Sequence, residues 1–189
     1  MKIIKKFFGN SVIFVKYTAH KDTRGEFAEI YNKKKLIEIG IKKNFVQDNQ
    51  SISKRQNTFR GIHFQLNPFS QAKLIRVIRG SILDFVVDLR KNSKTFGKNI
   101  KIKLGENDNQ FLFIPEGFGH AFLTLKNNTI INYKVSNYYS SKHSKSIIFN
   151  DKTIRLNIHK KILNKIHISD NDKMGITLNE FKEKYLGKL

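Results

Sequence analysis

The sequence predicts an all-β domain, an antiparallel sandwich or barrel with a few short helices at its periphery. The middle of the chain contains many short runs rich in β-branched and aromatic residues, and turn residues separate these runs at short intervals. Helical periodicity, by contrast, is confined to two short segments. The chain of 189 residues fits a single domain, residues 1–189, large enough to bury a core without disulfides or a structural metal.

Each predicted strand rests on a local pattern. Residues 99–104 alternate isoleucine or leucine with lysine, which is typical of a half-buried strand. Gly80 separates two runs as a turn residue, and Pro115 closes another run because proline cannot donate to a β-ladder. The candidate strands, in chain order, are 60–65, 73–79, 81–89, 99–104, 110–114, 121–125 and 129–135.

Two helices are predicted at the periphery. One short helix is expected around Asn32–Ile39, directly after a strand that ends at Tyr31. The other covers about 177–186, where Thr177 and Glu180 have the spacing of a capping box. Apolar residues recur at helical spacing within it.

The composition excludes several classes of protein. With no cysteine, the chain cannot form a disulfide scaffold, a thiolate zinc site or a cysteine nucleophile. The longest apolar runs, such as residues 12–15, are far too short to span a bilayer. Lys5, Lys6 and Lys16 interrupt any signal-peptide core, so we expect a soluble cytoplasmic protein with no membrane partner.

The net charge of +21 first suggests a nucleic-acid partner, because a strongly basic chain attracts polyanions. The excess is carried by 29 lysines and only 7 arginines, beside 25 isoleucines and 19 asparagines, a combination expected from A/T-rich codons. The lysines are scattered, and no continuous basic arm or helix stands out. We therefore interpret the charge mainly as a solvated lysine surface and expect no nucleic-acid partner.

Signatures for metals and nucleotide cofactors are missing. The chain has six histidines, but where a barrel metal site would show His-x-His it has His63-Phe64-Gln65. His120 is a candidate second imidazole, yet no nearby carboxylate is apparent from the sequence. Neither a glycine-rich dinucleotide fingerprint nor a phosphate-binding loop is present. We predict no metal and no cofactor.

Titratable side chains nevertheless cluster on the predicted strands. They lie in Arg60-Gly61-Ile62-His63-Phe64-Gln65, at Lys73 and in the segment 115–120 that ends at His120. Such a set could perform acid–base chemistry without a cofactor. The plainer alternative is that His63 is a satisfied structural group and that Gly61 marks a bulge.

Several motifs in one order resemble the dTDP-4-dehydrorhamnose 3,5-epimerase family. The resemblance covers about residues 22–172, most of the chain, and a series of motifs is far more specific than any single one. The matching segments are 22–25 with Glu29, 45–49, 60–65, 72–80, 84–90, 93–97, 114–122, 133–134, 137–140, 149–151 and 168–172.

The resemblance implies a cupin-type antiparallel jelly-roll barrel, usually a homodimer, that needs no metal or cofactor. The family inverts carbons 3 and 5 of a 4-keto-6-deoxy sugar attached to dTDP, in dTDP-L-rhamnose biosynthesis. His63 matches the family's base and Asp172 the carboxylate that orients it. Tyr133 matches the acid on the opposite face of the sugar, and Lys73 the cation beside the developing enolate.

The resemblance also implies a set of substrate contacts. Tyr139 falls where an aromatic ring stacks on the thymine. The other matched contact positions are Arg24, Glu29, Gln47, Asn49, Arg60 and His120.

Each assignment has a plainer interpretation. Tyr133 could be a tyrosine of the barrel core, and Lys73 one more surface lysine. Asp172 lies in a polar run that is typical of a turn, and Asp170 is close enough to take its place.

Four positions depart from the family pattern. Ser144 and Asn171 stand where the family usually has an acidic residue and a lysine, and phenylalanine replaces tryptophan near Phe113 and Phe149. These changes leave the exact nucleotide and sugar open. The alternatives are a 3-epimerase or 3,4-ketoisomerase on a related nucleotide sugar, or a non-catalytic cupin that binds polyanions.

Overall fold

The computed structural model describes residues 1–189 as an assembly of short strands with four small helices. The strands are β1 (Lys2–Phe7), β2 (Val12–Lys16), β3 (Ala19–Asp22), β4 (Gly25–Ala28), β5 (Gln47–Ser53), β6 (Phe59–Gln65), β7 (Lys73–Arg79), β8 (Ser81–Asp88), β9 (Asn99–Gly105), β10 (Gln110–Ile114), β11 (Phe118–Thr124), β12 (Thr129–Val135) and β13 (Ser144–Ser146). The helices are α1 (Lys33–Glu38), α2 (Lys160–Leu163), α3 (Asp170–Lys173) and α4 (Leu178–Tyr185).

Two antiparallel sheets face each other in a jelly-roll arrangement. The first sheet has the order β1-β2-β10-β7-β12-β5, and the second has the order β13-β6-β11-β8-β9. Neighbouring strands are often distant in sequence, which is the consequence of chain crossings between the sheets. A separate two-stranded ribbon, β3–β4, projects before α1. The all-β prediction with short peripheral helices is confirmed.

Apolar residues fill the space between the sheets and cover parts of their outer faces. Ile75 and Leu112 of the first sheet share one buried cluster with Val86 and Phe122 of the second. Since side chains alternate along a strand, the other faces of the same strands need their own cover. The segment ending in α4 packs on the second sheet, and α1 packs on the first.

The N-terminal cap of α4 has the predicted hydrogen bonds. Thr177 Oγ1 accepts from the Glu180 N–H at 3.2 Å, while a Glu180 carboxylate oxygen accepts from the Thr177 N–H at 2.7 Å. Phe181 of this helix is completely buried. The longest helix, α4, has 8 residues, and none of the four helices has the length and apolar character needed to span a bilayer.

Most predicted elements agree with the structure to within one residue at each end, and two differ by more. Tyr31 does not end a strand: it lies in the irregular segment between β4 and α1, where its ring meets Phe45 edge-on with centroids 6.2 Å apart. The expected strand was wrong because Tyr31 is half-buried through this aromatic contact and not through strand pairing. β11 begins at Phe118, three residues earlier than predicted.

A hydrogen-bonded loop follows β8 and accounts for part of the motif at 84–97. Asp88 is fully buried, and its carboxylate accepts hydrogen bonds from Arg90 Nη2 at 2.7 Å and Ser93 Oγ at 2.6 Å. Thr95 Oγ1 donates to the same carboxylate. Burial raises the pKa of Asp88, but the hydrogen bonds from these three side chains outweigh burial, so the pKa lies below its usual range.

Candidate active site

A cleft of about 750 Å³ opens between the two sheets, and both sheets supply its walls. Eight of the eleven site residues predicted from the sequence line it: His63, Lys73, Tyr133, Asp172, Gln47, Asn49, Arg60 and Tyr139. They come from β5, β6, β7 and β12, from the loop after β12 and from α3. The fold therefore gathers residues that are up to 125 positions apart (Gln47 to Asp172).

His63 and Asp172 form a hydrogen-bonded pair in this cleft. His63 Nε2 lies 2.6 Å from Asp172 Oδ1, and the Gly61 N–H donates to Asp172 Oδ2 at 3.4 Å. An ionised carboxylate only accepts, so the shared proton belongs on Nε2, and the lone pair of the neutral imidazole is on Nδ1. Nδ1 has no hydrogen-bond partner in the protein, and the imidazole is 46% exposed.

Asp172 reaches His63 because the polar run 169–172 forms a helical turn. Ser169 caps α3 by accepting from the Asp172 N–H at 3.2 Å. Burial raises the pKa of Asp172, but the hydrogen bond with His63 and the charge of the protonated form of His63, together with hydrogen bonds from Gly61 and Ser169, outweigh burial and lower the pKa below its usual range. Asp170, the alternative partner, is 85% exposed and binds Lys173 at 2.9 Å. The structure places Asp172, and not Asp170, against the imidazole.

Lys73 and Tyr133 lie on the neighbouring strands β7 and β12 of the opposite sheet. Lys73 Nζ is 5.9 Å from the centroid of the Tyr133 ring, and it donates to Gln71 Oε1 at 3.3 Å. Burial lowers the pKa of Lys73 from 10.5 to about 8. Burial also raises the pKa of Tyr133, against the opposing positive charge of Arg60.

Tyr133 contacts both the apolar core and the cleft, the two environments that the sequence left open. Part of the ring packs against the apolar cluster between the sheets, as expected of a core tyrosine. The same side chain lines the cleft. A core position and a cleft position are therefore compatible at the end of a barrel.

The cleft walls carry an excess of positive charge. Arg60, Lys73 and Lys145 line it, and Asp172 is the only acidic residue among the lining side chains. Arg60 makes only long hydrogen bonds of 3.5 Å, to Ser53 Oγ and the Ile52 carbonyl, and it has no carboxylate partner. Such a cleft suits an anionic ligand.

Amide side chains form hydrogen bonds among several of the predicted substrate contacts. Gln47 Nε2 donates to Asn49 Oδ1 at 2.8 Å, and Gln47 Oε1 accepts from the Tyr139 N–H at 3.3 Å. The Tyr139 side chain stands at the rim of the cleft, and the residue is 62% exposed. Ser144 and Asn171, which depart from the family pattern, also line the cleft.

Three predicted contact residues do not line the cleft of this chain. Arg24, in the turn of the β3–β4 ribbon, binds Asp22 at 2.6 Å and is 88% exposed. Glu29 binds Lys35 Nζ at 2.7 Å. Both belong to a segment on the outer side of the first sheet, which explains their distance from the inner walls.

His120 is the third residue outside the lining. It lies opposite His63 in the β6–β11 pairing, but it is buried, and its Nε2 is 2.8 Å from Asp84 Oδ2. Burial raises the pKa of Asp84, opposed by the charge and hydrogen bond of His120. Asp84 Oδ1 has no hydrogen-bond partner.

His63 and His120 each pair with a carboxylate, and of the two partners the family resemblance indicated only Asp172. The partners lie 109 and 36 residues away from their histidines, so no local pattern could indicate them. Groups of three or more metal-ligating side chains do not converge anywhere in the chain. The two pairs are thus arranged as separate hydrogen-bonded dyads.

Several residues that line the cleft were not predicted from the sequence. Gln71 and Lys73 are two positions apart in an extended segment, so their side chains point to the same side, and this period was the available signal for Gln71. Gln65 bears the same relation to His63. No such sequence pattern indicates that the cleft also includes Lys145, Ser169 and Met174, because the position of these residues depends on the path of the C-terminal third of the chain.

A second cleft of about 510 Å³ lies beside residues 149–163. Its only acidic residue is Asp151, whose carboxylate accepts from the N–H groups of Thr153, Ile154 and Leu178 at 2.8 to 2.9 Å. The remaining lining is mainly apolar or basic. This cleft contains no acid–base pair, so the first cleft is the candidate active site.

Comparisons with known proteins point to one family. Residues 10–180 match the family model described as dTDP-4-dehydrorhamnose 3,5-epimerase. A dTDP-4-dehydrorhamnose 3,5-epimerase from Shigella flexneri is 39% identical over 176 residues, covering 93% of this chain and 94% of the relative.

Two solved structures have the same fold. The dTDP-4-dehydrorhamnose 3,5-epimerase of Bacillus anthracis, with TDP and PPi bound, superposes with a TM-score of 0.87 at 39% identity, covering 93% of this chain and 98% of that one. The dTDP-6-deoxy-D-glucose-3,5-epimerase of Legionella pneumophila, in complex with dTDP-4-keto-L-rhamnose, has a TM-score of 0.90 at 29% identity, covering 100% of this chain and 98% of that one.

Proposed function

The chain belongs to the dTDP-4-dehydrorhamnose 3,5-epimerase family, and from this membership we propose how its cleft performs the reaction. The substrate is dTDP-4-dehydro-6-deoxy-D-glucose, and inversion at carbons 3 and 5 gives dTDP-4-dehydro-L-rhamnose. The ketone at carbon 4 makes the protons of both neighbouring carbons acidic, so the reaction needs a base, an acid and stabilisation of an enolate. The observation that carries the proposal is the position of the His63–Asp172 pair and the Lys73–Tyr133 pair on opposite sheets of one cleft.

His63 acts as the base in this proposal. The hydrogen bond from Nε2 to Asp172 fixes the ring and leaves the Nδ1 lone pair available for a proton. Proton transfer makes the imidazole positive, and the adjacent carboxylate stabilises that charge. Asp172 therefore orients the base and supports its protonated form.

Tyr133 and Lys73 act from the facing sheet. Tyr133 returns a proton to the face of the sugar opposite His63, which inverts the carbon instead of restoring it. The raised pKa of Tyr133 keeps its hydroxyl protonated before transfer. The Lys73 ammonium stabilises the enolate oxygen, and the burial that lowers its pKa also strengthens its interaction with a developing negative charge.

The remaining cleft residues bind the dTDP portion in this proposal. Arg60 supplies an unpaired guanidinium for an anionic oxygen, and Gln47 and Asn49 supply amide groups. Tyr139 presents an exposed ring that can stack on the thymine. In this proposal the acid, the base and the cation are all side chains, so the reaction as proposed requires no metal or cofactor.

We further propose a homodimer in which the partner completes each cleft. Arg24 lies outside the cleft of its own chain in the turn of the β3–β4 ribbon, where Phe27 is also exposed, and Glu29 directly follows this ribbon. β5 is the edge strand of the first sheet and carries the exposed Ile52, so it offers a place for a second copy.

A mixing experiment tests this dimer. We expect His63→Ala and Arg24→Ala chains to be weakly active alone, whereas their heterodimer contains one intact cleft. Random exchange of subunits should then restore about a quarter of wild-type activity. A monomer in sedimentation, or no recovery in a mixture whose heterodimers are verified, would refute the shared cleft.

The cytoplasm is the compartment we propose, because nucleoside diphosphate sugars are made and used there. Cell fractionation with an antibody against the chain tests this location. Recovery in the extracytoplasmic fraction would contradict it.

Deuterium exchange tests the activity directly. Incubation with dTDP-4-dehydro-6-deoxy-D-glucose in deuterated water should place deuterium at carbons 3 and 5, as read by nuclear magnetic resonance. Deuterium at carbon 3 alone would identify a 3-epimerase. Absence of exchange at both carbons would refute the proposed function, and steeply salt-dependent nucleic-acid binding in its place would favour the polyanion-binding alternative.

Variants separate the acid from the base. His63→Ala should abolish exchange at both carbons, whereas Tyr133→Phe should still permit proton removal but impair inversion. The controls His167→Ala and Tyr17→Phe change an exposed histidine and a buried tyrosine outside the cleft. Equal and mild effects of His63→Ala and Tyr133→Phe would contradict the assigned roles.

A further inference from the structure

The loop that carries Tyr139 is held by side chains and not by a backbone ladder. The segment 137–140 follows β12 and places Tyr139 at the rim of the cleft. The N–H groups of residues 138–140 all donate to side-chain oxygens, at 2.9, 3.3 and 2.7 Å respectively. In chain order, the accepting side chains belong to Asn137, Gln47 and Gln65.

Gln65 makes the largest contribution to this loop. Its Oε1 accepts from the Ser140 N–H at 2.7 Å, and its Nε2 donates to the carbonyls of Tyr138 at 3.1 Å and Phe69 at 2.7 Å. The side chain is only 5% exposed, so these bonds form away from bulk water. Gln65 therefore ties together two separate chain segments from one position on β6.

The two bonds to the loop lie on either side of Tyr139. Gln65 holds the carbonyl of the preceding residue and the N–H of the following residue. The Tyr139 side chain itself is largely exposed, so few packing contacts fix its place. Without these hydrogen bonds, the loop would gain conformational freedom, and a ligand that needs the ring in one place would have to order it.

We propose that Gln65 is a positioning residue that fixes Tyr139 at the rim of the cleft and thereby sets the affinity for the nucleoside portion of the ligand. This inference rests on the proposed function, in which Tyr139 stacks on thymine. Gln65 follows His63 by two positions, where a metal-binding barrel would carry its second histidine. In this chain the position organises a binding loop instead.

Calorimetry with dTDP tests the inference without requiring turnover. Gln65→Met keeps the length of the side chain and removes all three hydrogen bonds. We expect the dissociation constant for dTDP to rise about tenfold, as when one or two net hydrogen bonds are lost. With the full substrate, KM should rise by a similar factor, while kcat stays within about twofold of wild type.

Thr124→Val is the matched control. Thr124 is fully buried, and its hydroxyl accepts from the Thr58 N–H and donates to the Arg55 carbonyl, both at 2.9 Å. The substitution therefore removes buried hydrogen bonds to the backbone without touching the loop. It should lower stability but leave dTDP affinity unchanged.

A double-mutant cycle with Tyr139→Ala separates positioning from a general structural role. If Gln65 acts through the ring, Gln65→Met should have little further effect on dTDP affinity in the Tyr139→Ala background. If the two effects multiply, the inference is wrong. It is also wrong if folded Gln65→Met binds dTDP as tightly as wild type.

A replacement variant and the exchange assay of the wild-type protein distinguish failure of the positioning role from failure of the proposed function. If Gln65→Met does not unfold cooperatively, Gln65→Glu replaces it in the same cycle, because it keeps the acceptor for Ser140 and loses both donated bonds. Wild-type protein that binds dTDP but exchanges no deuterium would refute the proposed function alone. Wild-type exchange combined with an unaffected Gln65 variant would refute the positioning role alone.

Discussion

Replacing Lys73 by methionine removes a positive charge that the free protein holds in the cleft wall without an anionic partner. The only hydrogen bond of its ammonium group goes to the neutral amide of Gln71. Burial lowers the pKa of Lys73 from 10.5 to about 8, which means that the folded protein disfavours the charged form. The substitution should therefore stabilise the fold while it damages the reaction.

The size of the stabilisation follows from the pKa. At 1.36 kcal/mol per pKa unit, holding the charge in the folded state costs at most about 3 kcal/mol below pH 8. The sign is set by proton binding: between pH 8 and 10.5 the unfolded chain binds more protons at Lys73, so wild-type stability rises with pH. The advantage of Lys73→Met is thus complete at pH 7 and disappears as the pH approaches 10.5.

Urea unfolding at pH 7 and at pH 10 measures this advantage. The same advantage can be read by thermal unfolding, where each kcal/mol of stability corresponds to about 2–4 °C in melting temperature for a chain of this size. Lys103→Met, on an exposed position of β9, controls for the new methionine and for the lower net charge. The reasoning is refuted if Lys73→Met is no more stable than wild type at pH 7, or if its advantage is the same at pH 10.

Three further substitutions test the site and its support. Asp172→Asn should lower the deuterium exchange rate on the order of 100-fold or more, whereas Asp170→Asn should leave it unchanged. Asp88→Asn should lower the free energy of unfolding by about 3 kcal/mol at pH 7, as measured by urea unfolding. Because folding lowers the pKa of Asp88, the wild-type protein should lose this extra stability as the pH falls below about 4. Gly61→Ala should lower stability by about 3 kcal/mol or more in thermal unfolding, since its Cβ would overlap Ala121 and lie 2.6 Å from its Cα.

Each of these results could contradict its premise. Equal effects at positions 170 and 172 would remove the case for an oriented imidazole. An Asp88 variant with wild-type stability at pH 7 would mean that the loop after β8 does not depend on its buried carboxylate. A Gly61 variant with an unchanged melting temperature would contradict the close approach of β6 and β11.

The strands at the centre of the fold were predictable because their patterns are local. Residues 73–79 and 129–135 form β7 and β12 with the predicted bounds, since alternating apolar residues and bounding turn residues are visible in any single strand. The β3–β4 ribbon was not predicted. Its residues are mostly exposed, so burial leaves no alternating pattern in the sequence.

The contacts within the site were harder to predict, because they join residues that are far apart in the sequence. His63 and Lys73 could be placed on strands, but the sequence alone did not determine which carboxylate meets His63 across 109 residues. The family resemblance indicated Asp172, and the α3 turn brings it to the imidazole. His120 is directly opposite His63 in the strand pairing but is buried beside Asp84, and its contact with the ligand stays a prediction.

The net charge of +21 acquires a specific meaning only inside the cleft. Exposed lysines remain hydrated and contribute little to stability, as in the surface pair of Lys21 and Glu26. Lys73 differs because its charge is held at a cost in a wall where no acidic side chain pairs with it. A cation kept under these conditions is best explained by an anion that arrives with the ligand. Burial lowers the pKa of Lys73, and the negative charge that develops on the enolate oxygen of the proposed intermediate would supply the counter-charge that the free cleft does not place beside this ammonium group.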